Sequence, residues 1–185
     1  MTFASKPTLT GERVVLRPAG PEHVEGLWEL VNDPETVRLT GSHGKPTRAA
    51  IEKWYSTRGE QDNRLDLAIC DVKEGDYVGE IVLNDLDADN LSCGMRIALA
   101  GPRVFGRGYG SEAIELVLAH VFATVGLHRV SLEVFDFNER ARHVYRKAGF
   151  VEEGVLRDAL RWDGAWHDAI VMSVLAPDWA ARRGA

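Results

Sequence analysis

The segment Phe105–Ser111 carries glycines at three alternate positions, Gly106, Gly108 and Gly110, between a strand-like and a helix-like segment. Glycine adopts a positive φ without strain and lets the backbone come close to a ligand. Unpaired amides and the positive end of the dipole make a helix start a site for anions, and Arg107 can add a charge-assisted hydrogen bond. The loop therefore indicates a site for a phosphate-bearing ligand, although the same glycines would also suit a plain strand-to-helix turn.

Two familiar nucleotide-binding motifs fit this loop poorly. A dinucleotide-binding loop has the spacing GxGxxG in an early βαβ unit, whereas the spacing here is GxGxG beyond the middle of the chain. A Walker loop needs a lysine and then a serine or threonine after its glycines, and Gly110 directly precedes Ser111. The first interpretation is therefore weak and the second is excluded.

Asn138 and Tyr145 form a second candidate pair. Asn138 is a residue type that caps helix starts, and Tyr145 follows seven residues later, which is about two helical turns. Both side chains then project from nearly the same face of one helix, where an amide and a phenol could contact a single extended ligand. The alternative is a structural cap followed by a half-buried tyrosine.

The elements that must position these residues follow from the hydrophobic pattern. A long amphipathic helix is predicted from Ser111 to Val125, with Gly126 as its stop. Glu112 in its first turn is expected to face away from the loop, because a carboxylate there would repel a phosphate. The other predicted helices run near Val24–Val31, Arg48–Thr57 and Asn138–Ala148. The predicted strands are Arg13–Arg17, Leu65–Asp71, Asp76–Leu86, Leu91–Leu99, Arg129–Phe135, Val151–Leu160 and Trp166–Leu175. This order predicts a three-layer α/β (α+β) fold around a mixed sheet.

Composition narrows the class of protein. The 185 residues are 45% hydrophobic and 27% charged, as expected of one globular domain over residues 1–185. The net charge of -6 argues against a nucleic-acid binder. No apolar run has the length of a membrane span, and Met1–Thr10 lacks the pattern of a signal peptide and is interpreted as a polar lead-in. Cys70 and Cys93 have no metal-binding or disulfide spacing, so we expect a cytoplasmic protein without a metal.

The combination of motifs from Arg96 to Phe150 resembles the GNAT acetyltransferases, in particular the RimJ/RimL-like branch. The resemblance rests on Arg103-x-x-Gly106-Arg107-Gly108-Tyr109-Gly110-Ser111-Glu112-Ala113, on Gly126-Leu127-His128-Arg129-Val130, and on Asn138 through Tyr145 to Gly149-Phe150. It implies a GNAT-like fold with a mixed, mostly antiparallel sheet of about seven strands and helices on both faces. Residues 96–150 would be the acetyl-CoA-binding core.

The resemblance also implies individual roles. The loop should hold the pyrophosphate, the preceding strand should pair with the pantetheine arm, and Asn138 should hydrogen-bond that arm. Tyr145 should lie at the sulfur and act as general acid. The residues implied to bind acetyl-CoA, the co-substrate, are Ile97, Ala98, Leu99, Phe105, Gly106, Arg107, Gly108, Tyr109, Gly110, Ser111 and Asn138.

At the position of the general base, this sequence departs from the pattern of the family. Many relatives carry a glutamate just before the glycine that corresponds to Gly94, and here that position is Cys93. We interpret Cys93 as a small strand residue rather than a catalytic thiol. Glu80 and Asp85 are candidate replacements, with Asp87 as a third. The missing glutamate favours an acceptor amine of low pKa, such as an α-amino group, over a lysine.

The acceptor is expected to be a small-molecule amine or a peptide N-terminus. Trp28, Trp166 and His167 are candidate contacts, although aromatic residues at such spacing more often belong to a core. Ala141 stands where ribosomal-protein acetyltransferases of this branch often have serine, which argues against a ribosomal-protein substrate. A non-catalytic CoA-binding sensor is the alternative function. No nucleic-acid or membrane partner is expected, and a homodimer is possible.

Overall fold

The computed structural model describes residues 1–184 and shows one eight-stranded sheet with six helices. The strands are β1 (Leu9–Thr10), β2 (Val14–Pro18), β3 (Leu65–Asp71), β4 (Tyr77–Asp87), β5 (Ser92–Leu99), β6 (Arg129–Phe135), β7 (Val151–Trp162) and β8 (Ala165–Leu175). The helices are α1 (Val24–Asn32), α2 (Pro34–Leu39), α3 (Arg48–Thr57), α4 (Tyr109–Ala119), α5 (Glu139–Lys147) and α6 (Ala176–Gly184). The predicted three-layer α/β fold with a mostly antiparallel sheet is confirmed.

Two hydrophobic cores hold the helices on opposite faces of the sheet. On one face, Ile114 and Leu118 of α4 are fully buried with inward residues of the central strands, and Tyr145 of α5 joins them. On the other face, Leu27 of α1 and Ile51 of α3 pack together in a smaller core. The alternation of side chains along a strand makes both faces apolar where helices cover them. The sheet is therefore the middle layer of three.

Three elements were not predicted from the sequence. Strand β1 lies within the segment interpreted as a polar lead-in and pairs with β2, which brings the strand count to eight. Helix α2 is a short helix that Asp33 caps and Pro34 starts, a combination typical of helix starts. Helix α6 follows β8 directly, and none of its residues is buried.

The sheet opens between β5 and β6. The strand order is β1-β2-β3-β4-β5-β6-β8-β7, and every neighbouring pair is antiparallel except β5 and β6. These two strands are paired only at Ser92–Gly94 with Arg129–Ser131. Beyond Gly94, β5 continues to Leu99 without a partner strand on that side, so its backbone groups there are available to a ligand, except the Leu99 carbonyl, which accepts from the Gly101 amide and the Thr36 hydroxyl. The opening lies directly before the glycine loop.

Glu112 fastens α4 to the first hairpin of the sheet. Its carboxylate accepts hydrogen bonds from the backbone amides of Glu12, Arg13 and Val14 at 3.0, 2.8 and 2.8 Å. The Cα of Gly11 comes so close that an added Cβ would lie 2.6 Å from that carboxylate. The carboxylate thus points to the β1–β2 turn rather than to the glycine loop, in agreement with the sequence analysis. No helix within residues 1–184 is both long and apolar enough to cross a bilayer.

We expect Glu112→Ala to lower the free energy of unfolding by about 1–3 kcal/mol, because the substitution leaves backbone amides without their acceptor. Urea denaturation measures this. The matched control is Glu115→Ala on the same helix, where the carboxylate makes one 3.3 Å ion pair with Arg182 at the surface, a kind of contact that contributes little. Equal unfolding midpoints for the two variants would contradict this role of Glu112.

Candidate active site

A continuous cavity of about 1150 Å³ follows the opening between β5 and β6. At one end it reaches the glycine loop Phe105–Ser111, and at the other it reaches the sheet face covered by α1 and α3. Most ligand sites are concave and have a few polar groups at defined positions. This cavity therefore brings together the residues that the sequence analysis singled out on both sides of the sheet.

The glycine loop leads into α4 with the geometry of an anion site. Gly106 and Gly108 have φ values of +74° and +81°, which only glycine adopts without strain. No side chain caps the start of α4, so the amides of Tyr109, Gly110 and Ser111 lack the intrahelical partners that later residues have. These amides lie at the cavity wall, where a diphosphate could accept their hydrogens.

Side chains hold this loop in place and add positive charge beside it. The buried Tyr109 turns away from the ligand side, and its hydroxyl donates to Asp71 Oδ2 at 2.5 Å. Arg107 is exposed and is not part of the cavity wall. Arg140 is part of the wall instead, with its guanidinium 3.7 Å from the centre of the Phe105 ring. The cavity wall beside the loop thus includes a cation that sequence reasoning missed.

The unpaired edge of β5 forms the adjoining wall. Ile97, Ala98 and Leu99 all line the cavity, and a Cβ added to Gly110 would lie 3.6 Å from Leu99 and 3.8 Å from Ile97. The carbonyl of Leu99 accepts a hydrogen bond from the Thr36 hydroxyl at 2.9 Å, which ties the end of the strand to α2. The loop and the strand edge therefore form one surface, long enough to contact an extended ligand.

Helix α5 brings Asn138 and Tyr145 to the same cavity. The Asn138 side-chain oxygen caps the helix by accepting from the Ala141 amide at 3.2 Å, and its amide nitrogen donates to the Leu39 carbonyl at 3.5 Å. One N–H of that side chain is left for a ligand. Tyr145 is 8% exposed, and its hydroxyl makes no hydrogen bond within the described chain. Burial raises the pKa of Tyr145 to about 12, so the phenol stays protonated at neutral pH.

Glu80 lies deep in the cavity, on the face of the sheet that α3 covers. The Tyr55 hydroxyl donates to Glu80 Oε2 at 2.9 Å. Burial raises the pKa of Glu80, although this hydrogen bond and the charge of Arg96 oppose the shift. The carboxylate is therefore more basic than a glutamate in water, which suits a general base.

The other candidate bases differ from Glu80 in position. Asp85 is exposed at the rim and accepts from the Asn84 amide at 2.5 Å. The Asp87 carboxylate accepts from the Asp89 and Asn90 amides and from the Asn90 side chain, so it holds the β4–β5 turn. Cys93 is 3% exposed in the larger core, and burial raises the pKa of its thiol to about 12. The thiol is therefore protonated at neutral pH, as expected of a structural strand residue.

The sequence model of the acetyltransferase (GNAT) domain matches residues 13–151, which is most of the chain. The chain belongs to the GNAT acetyltransferases. Enzymes of this family use acetyl-CoA as co-substrate, and the uncapped amides, the free strand edge and the unpaired Tyr145 hydroxyl fit its pyrophosphate, pantetheine arm and thioester in turn.

Relatives and solved structures agree with this assignment. YokL, an uncharacterised N-acetyltransferase from the SPbeta prophage of Bacillus subtilis, is 26% identical over 95% of this chain and 97% of its own. The [ribosomal protein uS5]-alanine N-acetyltransferase of Escherichia coli is 29% identical over 96% of this chain and 95% of its own. The fold matches a spermidine N-acetyltransferase from Vibrio cholerae in complex with CoA and spermine, with a TM-score of 0.84 at 21% identity over 92% of this chain and 99% of that one.

Three predicted acceptor contacts of this GNAT enzyme lie outside the cavity wall. Trp28 packs against the smaller core, and Trp166 is 59% exposed on β8. His167 pairs with Asp136 at 3.3 Å and packs edge-on against Phe137. Trp28 and His167 serve packing and Trp166 is mostly exposed, so their positions do not support the predicted contact with an acceptor. Of the other aromatic residues, Trp54 and Tyr55 of α3 do line the cavity.

Sequence reasoning missed several polar residues of the acceptor end. Asn84 on β4 and Arg96 on β5 line the cavity beside Glu80, together with Arg58 and Arg64. A signal was present, because Arg96 interrupts an apolar strand. Its meaning depends on the strand register, which the pattern alone does not give. Within residues 1–184, no group of three or more His, Cys, Asp or Glu side chains could hold a metal ion.

We expect Gly108→Ala to weaken CoA binding roughly tenfold, because a Cβ disfavours the positive φ that aims the free amides. Isothermal titration calorimetry with CoA measures the change. Gly164→Ala is the matched control, since Gly164 has a φ of +84° in the β7–β8 turn with nothing within 4 Å of an added Cβ. Both variants should lose similar stability, and equal CoA affinities would contradict the assignment of the loop.

Proposed function

We propose that this GNAT enzyme transfers an acetyl group from acetyl-CoA to the primary amine of a small molecule or a peptide N-terminus. The observation that carries the proposal is the continuous cavity, which places a deep carboxylate of raised pKa and a buried phenol on one path from the glycine loop. Acetyl-CoA supplies the activated acyl group, and the residues of the chain bind it, orient it and move two protons.

Binding of acetyl-CoA would divide among three elements. The amides of Phe105–Ser111 would hold the pyrophosphate, aided by the Arg140 guanidinium at the mouth of the cavity. Ile97–Leu99 would pair with the pantetheine arm as an added strand does. The remaining N–H of Asn138 would donate to the same arm. These roles follow the sequence prediction, except that Arg140 takes the place of Arg107 as the cation at the wall.

Glu80 is the proposed general base. An amine must lose its proton to attack a carbonyl, and a carboxylate of raised pKa accepts a proton more readily than an ordinary glutamate. Glu80 is preferred to Asp85 because it is half-buried beneath α3 and its pKa is raised, whereas Asp85 is exposed. A water molecule could relay the proton where the two groups do not touch.

Tyr145 is the proposed general acid. As the new C–N bond forms and the C–S bond breaks, the sulfur gains the electron pair of that bond and needs a proton. The Tyr145 hydroxyl would supply it, because the phenol is protonated at neutral pH and no other group of the described chain engages it. Burial that raises the pKa of Tyr145 would also raise the pKa of a thiol in the same pocket, so the proton transfer is not blocked by the shift.

Several finer assignments remain predictions that the relatives support in part. The RimJ/RimL-like branch is supported by the similarity to the uS5-alanine N-acetyltransferase, while the Vibrio cholerae structure shows that a similar fold binds a polyamine. A single domain over residues 1–185, with its acetyl-CoA core at 96–150, agrees with the single sheet. A cytoplasmic location and a homodimer also stay predictions.

The function is tested by thiol release from acetyl-CoA across a panel of amines, with polyamines, aminoglycosides, amino acids and N-terminal peptides. Acceptor-dependent release of CoA is expected for at least one class. Tight binding of acetyl-CoA without release from any amine would instead support a CoA-binding sensor. Binding can be measured by thermal shift, since a ligand at 100 times its Kd stabilises a protein by about 2.7 kcal/mol.

We expect Tyr145→Phe to lower kcat roughly a hundredfold or more, which is the usual contribution of a positioned acid. The acetyl-CoA affinity should change little, because the ring and its packing against Phe150 are retained. Steady-state kinetics together with calorimetry separate the two quantities. An unchanged kcat would remove Tyr145 from the mechanism.

We expect Glu80→Gln to lower kcat/KM at least a hundredfold at pH 7 and to abolish the loss of activity on the acidic side of the pH profile. In the wild-type enzyme that loss should occur at a pH above the ordinary glutamate pKa of 4.5, because the pKa of Glu80 is raised. Asp85→Asn is the control, and it should keep both the rate and the profile within a few-fold. The reverse result would make Asp85 the base.

The same substitution should lower activity without lowering the stability of the fold at high pH. A carboxyl whose pKa is higher in the folded state than in the unfolded state stabilises the protein fully below the unfolded pKa and loses that contribution as pH rises through the folded pKa. Above the folded pKa the ionised Glu80 is therefore a cost, and at pH 8 Glu80→Gln should have a Tm equal to or above that of the wild type. A lower Tm at pH 8 would show that Glu80 is held as a stabilising ion.

A further inference from the structure

The acceptor end of the cavity is lined by a regular array of side chains on β4 and β5. Glu80 pairs with Ala98, Val82 with Arg96, and Asn84 with Gly94. Since alternate residues of a strand share a face, all of these residues lie on the face that α3 covers. Ala98 and Gly94 are small, so the space beside the polar residues of the array is open to a ligand.

Asn84 presents an oxygen without a partner to this space. Its Oδ1 is buried and accepts no hydrogen bond within the described chain, and the residue lines the cavity. The orientation of the amide is set by its neighbour, because Nδ2 donates to Asp85 Oδ2 at 2.5 Å. A rotated amide would place two acceptor oxygens together. A buried acceptor without a donor is costly, and a ligand N–H would satisfy it.

Arg96 is an exposed cation of the cavity wall without a partner in the described chain. Arg64 on the same side of the cavity is neutralised by two hydrogen bonds to Asp66 at 2.6 and 2.8 Å. Arg96 makes no hydrogen bond or ion pair within residues 1–184, although it lines the cavity beside Glu80. Arg58 adds to the positive charge there, with only a 3.7 Å ion pair to Asp66. An anion is the group that such guanidinium donors bind best.

We propose that the acceptor is a primary amine that also carries an anionic group, with its amine beside the proposed base Glu80 and its anion bonded to Arg96. The inference rests on the proposed acetyltransferase function and names the acceptor class of that site. Arg96 lies opposite Val82, two residues from Glu80 on the same face of β4, so an anion bound by Arg96 places the amine close to the proposed base. A carboxylate and a phosphate share the chemistry that Arg96 recognises.

The array disfavours polyamines as acceptors. A second ammonium group of a polyamine would lie beside the unpaired Arg96, where like charges repel it. Burial and the neighbouring arginines Arg64 and Arg96 already lower the pKa of Arg58, against the opposing charge of Asp66 and Glu80. The chain thus differs in preferred acceptor from the Vibrio cholerae enzyme, whose structure contains spermine.

Paired acceptors that differ only in the anion test this inference. Thiol release is measured for amino acids and their C-terminal amides, for phosphoethanolamine and ethanolamine, and for spermidine. We expect kcat/KM to be roughly tenfold to a hundredfold higher for the acid of at least one pair, as a charge-assisted hydrogen bond provides. Comparison of the amino acids with phosphoethanolamine shows whether the enzyme prefers a carboxylate or a phosphate.

Variants test whether Arg96 causes the preference for an acceptor with an anionic group. Arg96→Gln should abolish the preference for the acid within a pair, mainly through KM, while leaving acetyl-CoA affinity unchanged. Arg157→Gln is the matched control, because Arg157 is exposed on β7 outside the cavity wall, and it should keep the preference. A preference that survives Arg96→Gln, or a wild-type enzyme that favours spermidine, overturns the inference.

Binding provides a readout that does not depend on turnover. Calorimetry of the CoA-loaded enzyme with each acid and its amide should show tighter binding of the acid, and Arg96→Gln should remove the difference. Equal affinities of acids and amides overturn the inference even where CoA is released. Tighter binding of an acid without CoA release supports the inference and contradicts the proposed catalytic function, so the two failures are distinguishable.

Discussion

Strands β5 and β6 share only three residue pairs, Ser92–Gly94 with Arg129–Ser131, and then separate. Parallel strands cannot be joined by a tight turn, so the chain must cross over between them, and here the crossover is the glycine loop with α4. The separation leaves one backbone edge of β5 unpaired in the middle of the sheet. The cavity, the free edge and the exposed helix start all follow from this arrangement.

The gap between β5 and β6 also connects the two faces of the sheet. The glycine loop and Tyr145 lie on the face of the larger core, and Glu80 and Asn84 lie on the face that α3 covers. A donor held by the loop and an acceptor held by the array can therefore meet only through the opening. The opposing faces also separate the proposed acid from the proposed base, so each can keep a pKa that suits its proton.

Buried polar groups at this site reduce stability in return for function. Glu80 in its ionised form and the buried, unpaired Asn84 oxygen would each be more stable with a partner. Elsewhere the chain satisfies such groups, as the three amides bound by Glu112 illustrate. Unsatisfied groups concentrated in one cavity are what a binding site for a polar ligand requires.

Sequence patterns predicted the parts of the fold that depend on local physics. The glycine loop, the Asn138 cap and seven of the strands depend on residue type and spacing, and the structure contains all of them. Strand β1 and helix α2 were not predicted, because a two-residue strand and a six-residue helix give almost no periodic signal. Trp28, Trp166 and His167 were predicted by residue type alone, whereas Trp28 and His167 pack against neighbouring residues and Trp166 is mostly exposed.

The polar residues at the acceptor end of the cavity were not predicted, for a different reason. Arg96 follows Asn84 by twelve residues along the β4–β5 hairpin, and only the register between the two strands brings both side chains to one face. Register depends on the turn and its bulge, and the ladder here shifts between Asn84 and Asp87. A shift of one residue would point Arg96 into the larger core instead.

Hydrogen exchange of backbone amides tests the central claim, that acetyl-CoA binds in the opening between β5 and β6. Adding acetyl-CoA should slow exchange at Met95–Leu99 and at Tyr109–Ser111, where the free amides would gain acceptors, and should leave the fully paired strand β3 unchanged. Protection confined to other segments, with no change at the β5 edge or the helix start, would contradict the account.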